Sequence, residues 1–264
     1  MKQKKPIKMT AAKLLVEQGL SLTLKEASAY ICAGRVIADQ QRVDKPGQWL
    51  RRDSVLKLKK APFVSRGGQK LQSAITELGL VEKFKDKVVL DVGASTGGFT
   101  DCVLKLGAQH VIAVDVGFNQ LAWSLRTDAK VTSLEKTDIR NFSPVSFPHI
   151  DWVLADISFQ SLESLAADLI RVGRHSQFLI LIKPQFELRP EEIPTGGVVT
   201  QQELWEKAIE KVKAAVVALG AQNLKIAKSG LKGREGNQEF FLYFELADSL
   251  STSELSLATR TGAT

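Results

Sequence analysis

The stretch Lys87-Val-Val-Leu-Asp91-Val-Gly93-Ala94-Ser95-Thr-Gly97-Gly98-Phe99-Thr100 decides how the chain folds. An apolar run ends in an acidic residue, enters a glycine-rich turn and opens a helix. In an open α/β sheet, the crevice after such a first strand is where nucleotide-like ligands bind. Glycines let the backbone come close to a ligand. The spacing is D-x-G-x-x-x-G-G and lacks the G-x-G-x-x-G of dinucleotide sites. An acidic lead residue suits an amino-acid-like cation better than a pyrophosphate. Asp91 is therefore expected to hold the ammonium of a methionine moiety, directly or through water.

The pattern continues on both sides of this turn. Strand-like runs lie at Lys87–Val92, His110–Val116, Val131–Leu134, Asp151–Ala155, Phe178–Ile182, Leu224–Ala227 and Phe240–Leu246. Helical stretches fall between most of them, near Gly98–Leu106, Gln120–Leu125, Leu162–Val172 and Gln202–Leu219, with another from about Lys70 to Leu78. Seven strands alternating with helices predict an α/β domain, with a mostly parallel sheet covered on both faces and an antiparallel last strand.

Several of these strands end in a charge. Asp115, with Val116 beside it, closes the second strand about 20 positions after the glycine turn, where a carboxylate suits a ribose diol. Asp138 follows the third strand and is a candidate for an adenine amino group, although an ordinary surface Asp reads the same way. Asp156 follows the fourth and Lys183 the fifth, at the carboxyl edge where open α/β sheets bind ligands; a plain salt bridge between them is the alternative. Glu239 opens the seventh strand. Residues 187–199, long and punctuated by Pro and Gly, have the character of a lid.

Upstream, the chain has a different character. Residues 1–60 hold 14 Lys/Arg and 5 Asp/Glu, a balance of +9, within a whole-chain charge of +7. The remaining residues therefore sum to −2. This asymmetry points the N-terminal quarter at an anionic partner, with a Lys-rich soluble surface as the alternative. Two helical stretches, 9–20 and 22–34, are followed by β-like runs at Arg35–Ala38 and Val55–Leu58. The organisation reads as a basic arm (1–8), a small α+β domain (9–60), a linker (61–68), a large α/β domain (69–248) and a flexible tail (249–264). Two cysteines support neither a disulfide framework nor a zinc site, and the three histidines lack ligand spacing, so no metal is expected. No run approaches the roughly 18 apolar residues of a membrane span. A cytoplasmic protein without a membrane partner is the expectation.

Taken together, Ser65–Leu71 around Lys70, the glycine turn, Ala155-Asp156-Ile-Ser-Phe159, Ile182-Lys183-Pro-Gln-Phe186 and Gly236-Asn-Gln-Glu239-Phe-Phe241 resemble FtsJ-like RNA 2′-O-methyltransferases over residues 65–246. Residues 9–59, with Ala33-Gly34-Arg35-Val36, resemble the αL-type RNA-binding module. That module followed by that enzyme is the architecture of the TlyA family. The resemblance implies a Rossmann-like fold, S-adenosyl-L-methionine as cofactor, and a Lys70–Asp156–Lys183–Glu239 tetrad as the catalytic set. It implies Asp91, Gly93, Ala94, Ser95, Gly97, Gly98, Phe99, Asp115, Val116 and Asp138 as the cofactor site. It also implies the ribose 2′-hydroxyl of cytidine in ribosomal RNA, naked or in ribosomal subunits, as substrate. Members often carry an Arg-x-Trp-Val linker; here Ala61-Pro62-Phe63-Val64 keeps an aromatic and loses the Arg and Trp. Rival readings are an RNA-binding assembly factor without catalysis, a hemolysin-type membrane-active protein, and a NAD-dependent dehydrogenase.

Overall fold

The computed structural model describes residues 7–32, 34–59, 61–147, 149–233 and 235–247. The chain divides into two compact units, with the break after Pro62. Most of the basic arm (1–8) and the tail (249–264) lie outside the described residues.

The first unit runs β1 (Lys8–Thr10), α1 (Ala11–Glu17), α2 (Leu24–Cys32), β2 (Val36–Ala38), β3 (Gln41–Arg42), β4 (Trp49–Arg51) and β5 (Leu56–Leu58). Leu14, Leu15, Ala27 and Ile31 of the two helices pack on Val36, Ala38, Val43 and Leu56. β2 is the centre of a three-stranded sheet between β3 and β5. β1 was not expected from sequence: it makes an antiparallel ribbon with β4, Lys8 opposite Arg51 and Thr10 opposite Trp49.

The second unit begins with α3 (Arg66–Glu77) and continues β6 (Val88–Val92), α4 (Gly98–Lys105), β7 (His110–Asp115), α5 (Trp123–Arg126), β8 (Val131–Glu135), β9 (Trp152–Ala155), α6 (Leu162–Val172), β10 (Gln177–Ile182), α7 (Pro184–Glu187), α8 (Gln202–Ala218), β11 (Ala221–Lys228) and β12 (Phe240–Leu246). All seven expected strands form one sheet in the order β11-β12-β10-β9-β6-β7-β8. β6, β7, β8, β9 and β10 pair in parallel, and β12 is antiparallel to both of its neighbours.

The strands inside the sheet, β6, β7, β9, β10 and β12, are largely apolar because both faces are covered, whereas the edge strands β8 and β11 mix polar and partly exposed residues. Alternate residues take opposite sides. Leu90, Val153, Ile180 and Leu242 face α6 and α8, whereas Val89, Leu154, Leu179 and Phe241 face α3 and α4. α3 has no side-chain cap at Ser65. Its hold comes from Leu71, Ala74 and Ile75, all fully buried; Leu71 and Ile75 are each worth about 1.5–3 kcal/mol.

The sequence placed a linker over 61–68 and the helix start near Lys70. In the structure Phe63 is buried, the Val64 N–H donates to Asp101 Oδ2 at 2.8 Å, and α3 begins at Arg66. The expected lid is pinned as well. Leu188 and Val199 are buried against α8, and the Asn237 side chain bonds the Val199 N–H and the Gly197 carbonyl at 2.8 and 2.9 Å.

Candidate active site at the carboxyl edge of the sheet

The strand ends carry the site. Parallel pairing brings the carboxyl ends of β6, β7, β9 and β10 to one edge, so Asp91, Asp115, Asp156 and Lys183 arrive there from separate parts of the chain. β12 runs the other way, and its amino end reaches the same edge. Its register sets Phe240 opposite Ile182, so Glu239 and Lys183, the residues just beyond that pair, fall at adjacent strand ends. α3 adds Lys70 from above. A cleft of about 690 Å³ is lined by all four tetrad residues and by Asp91, Gly93, Ala94, Ser95, Gly98, Phe99, Asp115, Val116 and Asp138.

The four tetrad residues form two ion pairs. Lys70 Nζ is 2.5 Å from Glu239 Oε2, with side chains only 11% and 3% exposed. Lys183 Nζ is 2.7 Å from Asp156 Oδ1 and donates to Ser158 Oγ at 2.8 Å. The Lys183 ammonium also lies 5.8 Å from the centre of the Phe186 ring. Asp156 and Lys183 are thus paired with each other and still open to the cleft.

The cofactor candidates do not all behave as their sequence suggested. Asp91 is fully buried and its Oδ2 accepts from Thr100 N–H and Oγ1 at 2.9 and 2.6 Å. Its Oδ1 has no hydrogen-bond partner among the described residues. Burial pushes this carboxyl up to about 7. A buried acceptor without a donor is costly, and it fits a ligand ammonium. Asp115 takes the Ser95 N–H on Oδ2 at 2.7 Å and the Gly117 N–H on Oδ1 at 2.6 Å. Each oxygen keeps a second lone pair for a ribose hydroxyl. Asp138 lines the cleft, but both of its oxygens are held by Arg140, whose side chain keeps the carboxyl down at about 2. As at Asp115, acceptor capacity remains beside that grip, here on Oδ2, which takes a single donor. Val116 is exposed.

The glycines serve the protein as much as any ligand. Gly97 sits at φ 93°, and a Cβ there would meet Leu125 Cδ1 at 2.3 Å. A Cβ on Gly98 would lie 2.2 Å from Ser65 Oγ and 2.8 Å from the Gly68 nitrogen. The tight turn is also the seam between α3 and α4, so it couples Lys70 to the cofactor loop.

Three residues at the site had no role assigned from sequence. Ser158 and Phe159 were visible only as part of the motif around Asp156, and Phe186 as part of that around Lys183. Phe159 is 89% exposed at φ 66°, its ring centre 5.4 Å from that of Phe186. Nothing in their spacing announces that they meet across two strand ends.

Residues 63–246 match the model of the FtsJ-like methyltransferase family. The domain is thus an FtsJ-like methyltransferase, a class that uses S-adenosylmethionine. The 16S/23S rRNA (cytidine-2′-O)-methyltransferase TlyA of Mycobacterium tuberculosis is 36% identical over 234 residues, 87% of each chain. YqxC of Bacillus subtilis, provisionally named an rRNA methyltransferase, is 39% identical over 236 residues, 87% of this chain and 83% of that one. A solved structure from Streptococcus thermophilus with a provisional hemolysin name is 37% identical, with a TM-score of 0.71 over 97% of this chain and 96% of that one. The chain belongs to the TlyA family of FtsJ-like methyltransferases.

Proposed function

We propose that this protein methylates the ribose 2′-hydroxyl of a cytidine in ribosomal RNA, with S-adenosyl-L-methionine as methyl donor. The observation that carries this reading is the pairing of two lysines with two carboxylates in the cleft that also holds the unpartnered oxygen of Asp91. The cofactor, when bound, supplies an electrophilic methyl group. Asp91 Oδ1 and the turn Gly93–Gly98 hold its amino-acid end, and Asp115 holds its ribose.

A ribose hydroxyl is a poor nucleophile at neutral pH and needs a positioned base. Lys183 is that base: in its neutral amine form, Nζ takes the proton from the 2′-oxygen and becomes the ammonium. Asp156 Oδ1 stabilises the ammonium that forms, and Ser158 Oγ fixes its direction. Glu239 keeps Lys70 from standing as a bare buried charge. Phe159 offers an exposed face on which a base can stack.

The N-terminal module, 9–60, supplies phosphate contacts. Lys8 stands directly opposite Arg51 on the β1–β4 ribbon. Arg51 is itself paired with Asp53 at 2.6 Å, so the net basic charge of this region is what an RNA backbone would meet through phosphate contacts. Such contacts give affinity and salt dependence with little sequence choice. The substrate places the protein's work in the cytoplasm; among the described residues, no helix is long and apolar enough to cross a membrane.

The test is transfer of tritiated methyl from S-adenosylmethionine to ribosomal subunits, wild type beside Lys183→Ala, with the product nucleoside identified by mass spectrometry. A 2′-O-methylcytidine that vanishes in the variant is the expected result. No transfer to either subunit by a protein that binds the cofactor would overturn the ribosomal assignment.

A further inference from the structure

The turn from Asp156 to Ser161 joins β9 to α6 and carries three of the residues around Lys183. At its centre Phe159 adopts φ 66° with its ring in solvent. A bulky residue in that backbone region costs of order 1–3 kcal/mol, and an exposed ring recovers little of it by burial. The turn therefore has to be held from outside.

Its upstream half is held by Lys183, through Asp156 and Ser158. Its downstream half is held by Glu187. That side chain is buried, yet no sequence motif marked it. Glu187 Oε2 accepts the Ser161 hydroxyl at 2.5 Å and Oε1 accepts the Leu162 N–H at 2.8 Å. Leu162 is the first residue of α6, so the carboxylate caps a helix N-terminus, where free N–H groups and the dipole favour an anion. Glu187 ends α7, four positions beyond Lys183, and its carbonyl accepts the Lys211 ammonium at 2.8 Å. Lys183 and Glu187 thus grip the two ends of one turn from one short segment.

The geometry points to Glu187 as a positioning residue: its carboxylate clamps Ser161 and Leu162 to the segment after β10, and so keeps the strained turn in the shape that sets Asp156 and Ser158 on Lys183 and Phe159 against Phe186. This inference rests on the methyltransferase reading for its catalytic consequence, and on the contacts alone for the clamp. Ser161 and Leu162 need two acceptor oxygens at once. A Gln at 187 supplies one, and an Ala neither.

The experiment places 4-fluorophenylalanine at position 159 in the full chain and records its fluorine resonance in wild type, Glu187→Gln, Ser161→Ala and Phe186→Leu. Methyl transfer to ribosomal subunits, cofactor affinity and melting temperature are measured on the same proteins. Wild type is expected to show one resonance displaced by the Phe186 ring. Glu187→Gln and Ser161→Ala are expected to move or broaden it towards the Phe186→Leu position, with kcat down at least about tenfold and cofactor affinity within twofold of wild type. An unmoved resonance in both clamp variants overturns the clamp, whatever the activity. A moved resonance with kcat retained overturns its role in positioning. If wild type itself transfers no methyl group to subunits, the resonance still decides the clamp, and the failure belongs to the proposed substrate.

Discussion

Lys183 Nζ is held between Asp156 Oδ1 at 2.7 Å and Ser158 Oγ at 2.8 Å, which leaves its remaining valence for the cleft. Positioned proton transfer is worth typically 10²–10⁴-fold. Lys183→Ala and Lys183→Arg are expected to lower kcat by about that factor. Cofactor affinity, read by calorimetry, should stay within a few-fold of wild type, because the proposed cofactor contacts lie at and beyond the ends of β6, β7 and β8, away from β10. A parallel collapse of cofactor binding would show that Lys183 holds the ligand and is not the base.

The other lysine makes a prediction about stability. Lys70 and Glu239 are buried together. Removing one partner of a buried pair costs about 3–5 kcal/mol, whereas replacing both by apolar groups is often neutral. Glu239→Gln and Lys70→Met singly should therefore lower the melting temperature by roughly 10 °C for a domain of this size. The double variant Lys70→Met/Glu239→Leu should recover most of that loss and remain inactive. Equal melting temperatures for singles and double would refute the pairing as a stability element.

Asp91 gives a pH dependence with a definite sign. Its folded pKa, about 7, lies above the unfolded carboxylate value of about 3.9. An acid raised in this way favours the protonated folded state, so its contribution to stability is full below pH ~4 and is lost as pH rises to ~7. Cofactor binding works against this, since the ammonium needs the ionised carboxylate. Cofactor affinity should rise roughly five- to tenfold between pH 6 and 7.5, with proton release seen as a buffer-dependent heat. Asp91→Asn should bind weakly with no such slope. A pH-independent affinity in wild type would remove Asp91 from the ammonium site.

The α3–α4 seam predicts a cost for the smallest side chain. An added Cβ on Gly98 meets Ser65 Oγ and the Gly68 nitrogen, and overpacking of this kind costs about 1–3 kcal/mol. Gly98→Ala should fold with a lower melting temperature and weakened cofactor affinity. Ser65→Gly should restore only part, because the backbone nitrogen remains. An unchanged melting temperature would mean that the two helices part freely.

The readable parts of this protein were those where one local signal suffices. Most of the seven strands were legible because they are dense apolar runs, and the mixed edge strands β8 and β11 because short apolar stretches recur between helices; the site residues at the strand ends were legible because a charge stops such a run. α3 was placed four residues late because Arg66-Gly67-Gly68 has a loop's composition; those glycines serve the contact with α4 and Phe63, which no local pattern shows. β1 was missed because its partner, β4, lies forty residues away. Asp138 looked like a free carboxylate because the grip of Arg140 depends on a turn geometry that spacing does not fix. Glu187 was unreadable for a related reason: it lies five residues past an apolar strand, and its partners belong to a different strand-to-helix turn.

β12 lies between β10 and β11 and brings in Glu239, 169 positions after the lysine it pairs with. During synthesis, β11 emerges with no strand to pair with, and Lys70 has no counter-ion, until the chain has grown through Leu246. The tetrad is therefore closed at the start of β12, the last strand among the described residues. A growing chain therefore makes its whole N-terminal unit, and most of the residues that line the cleft, before the residue that completes the four.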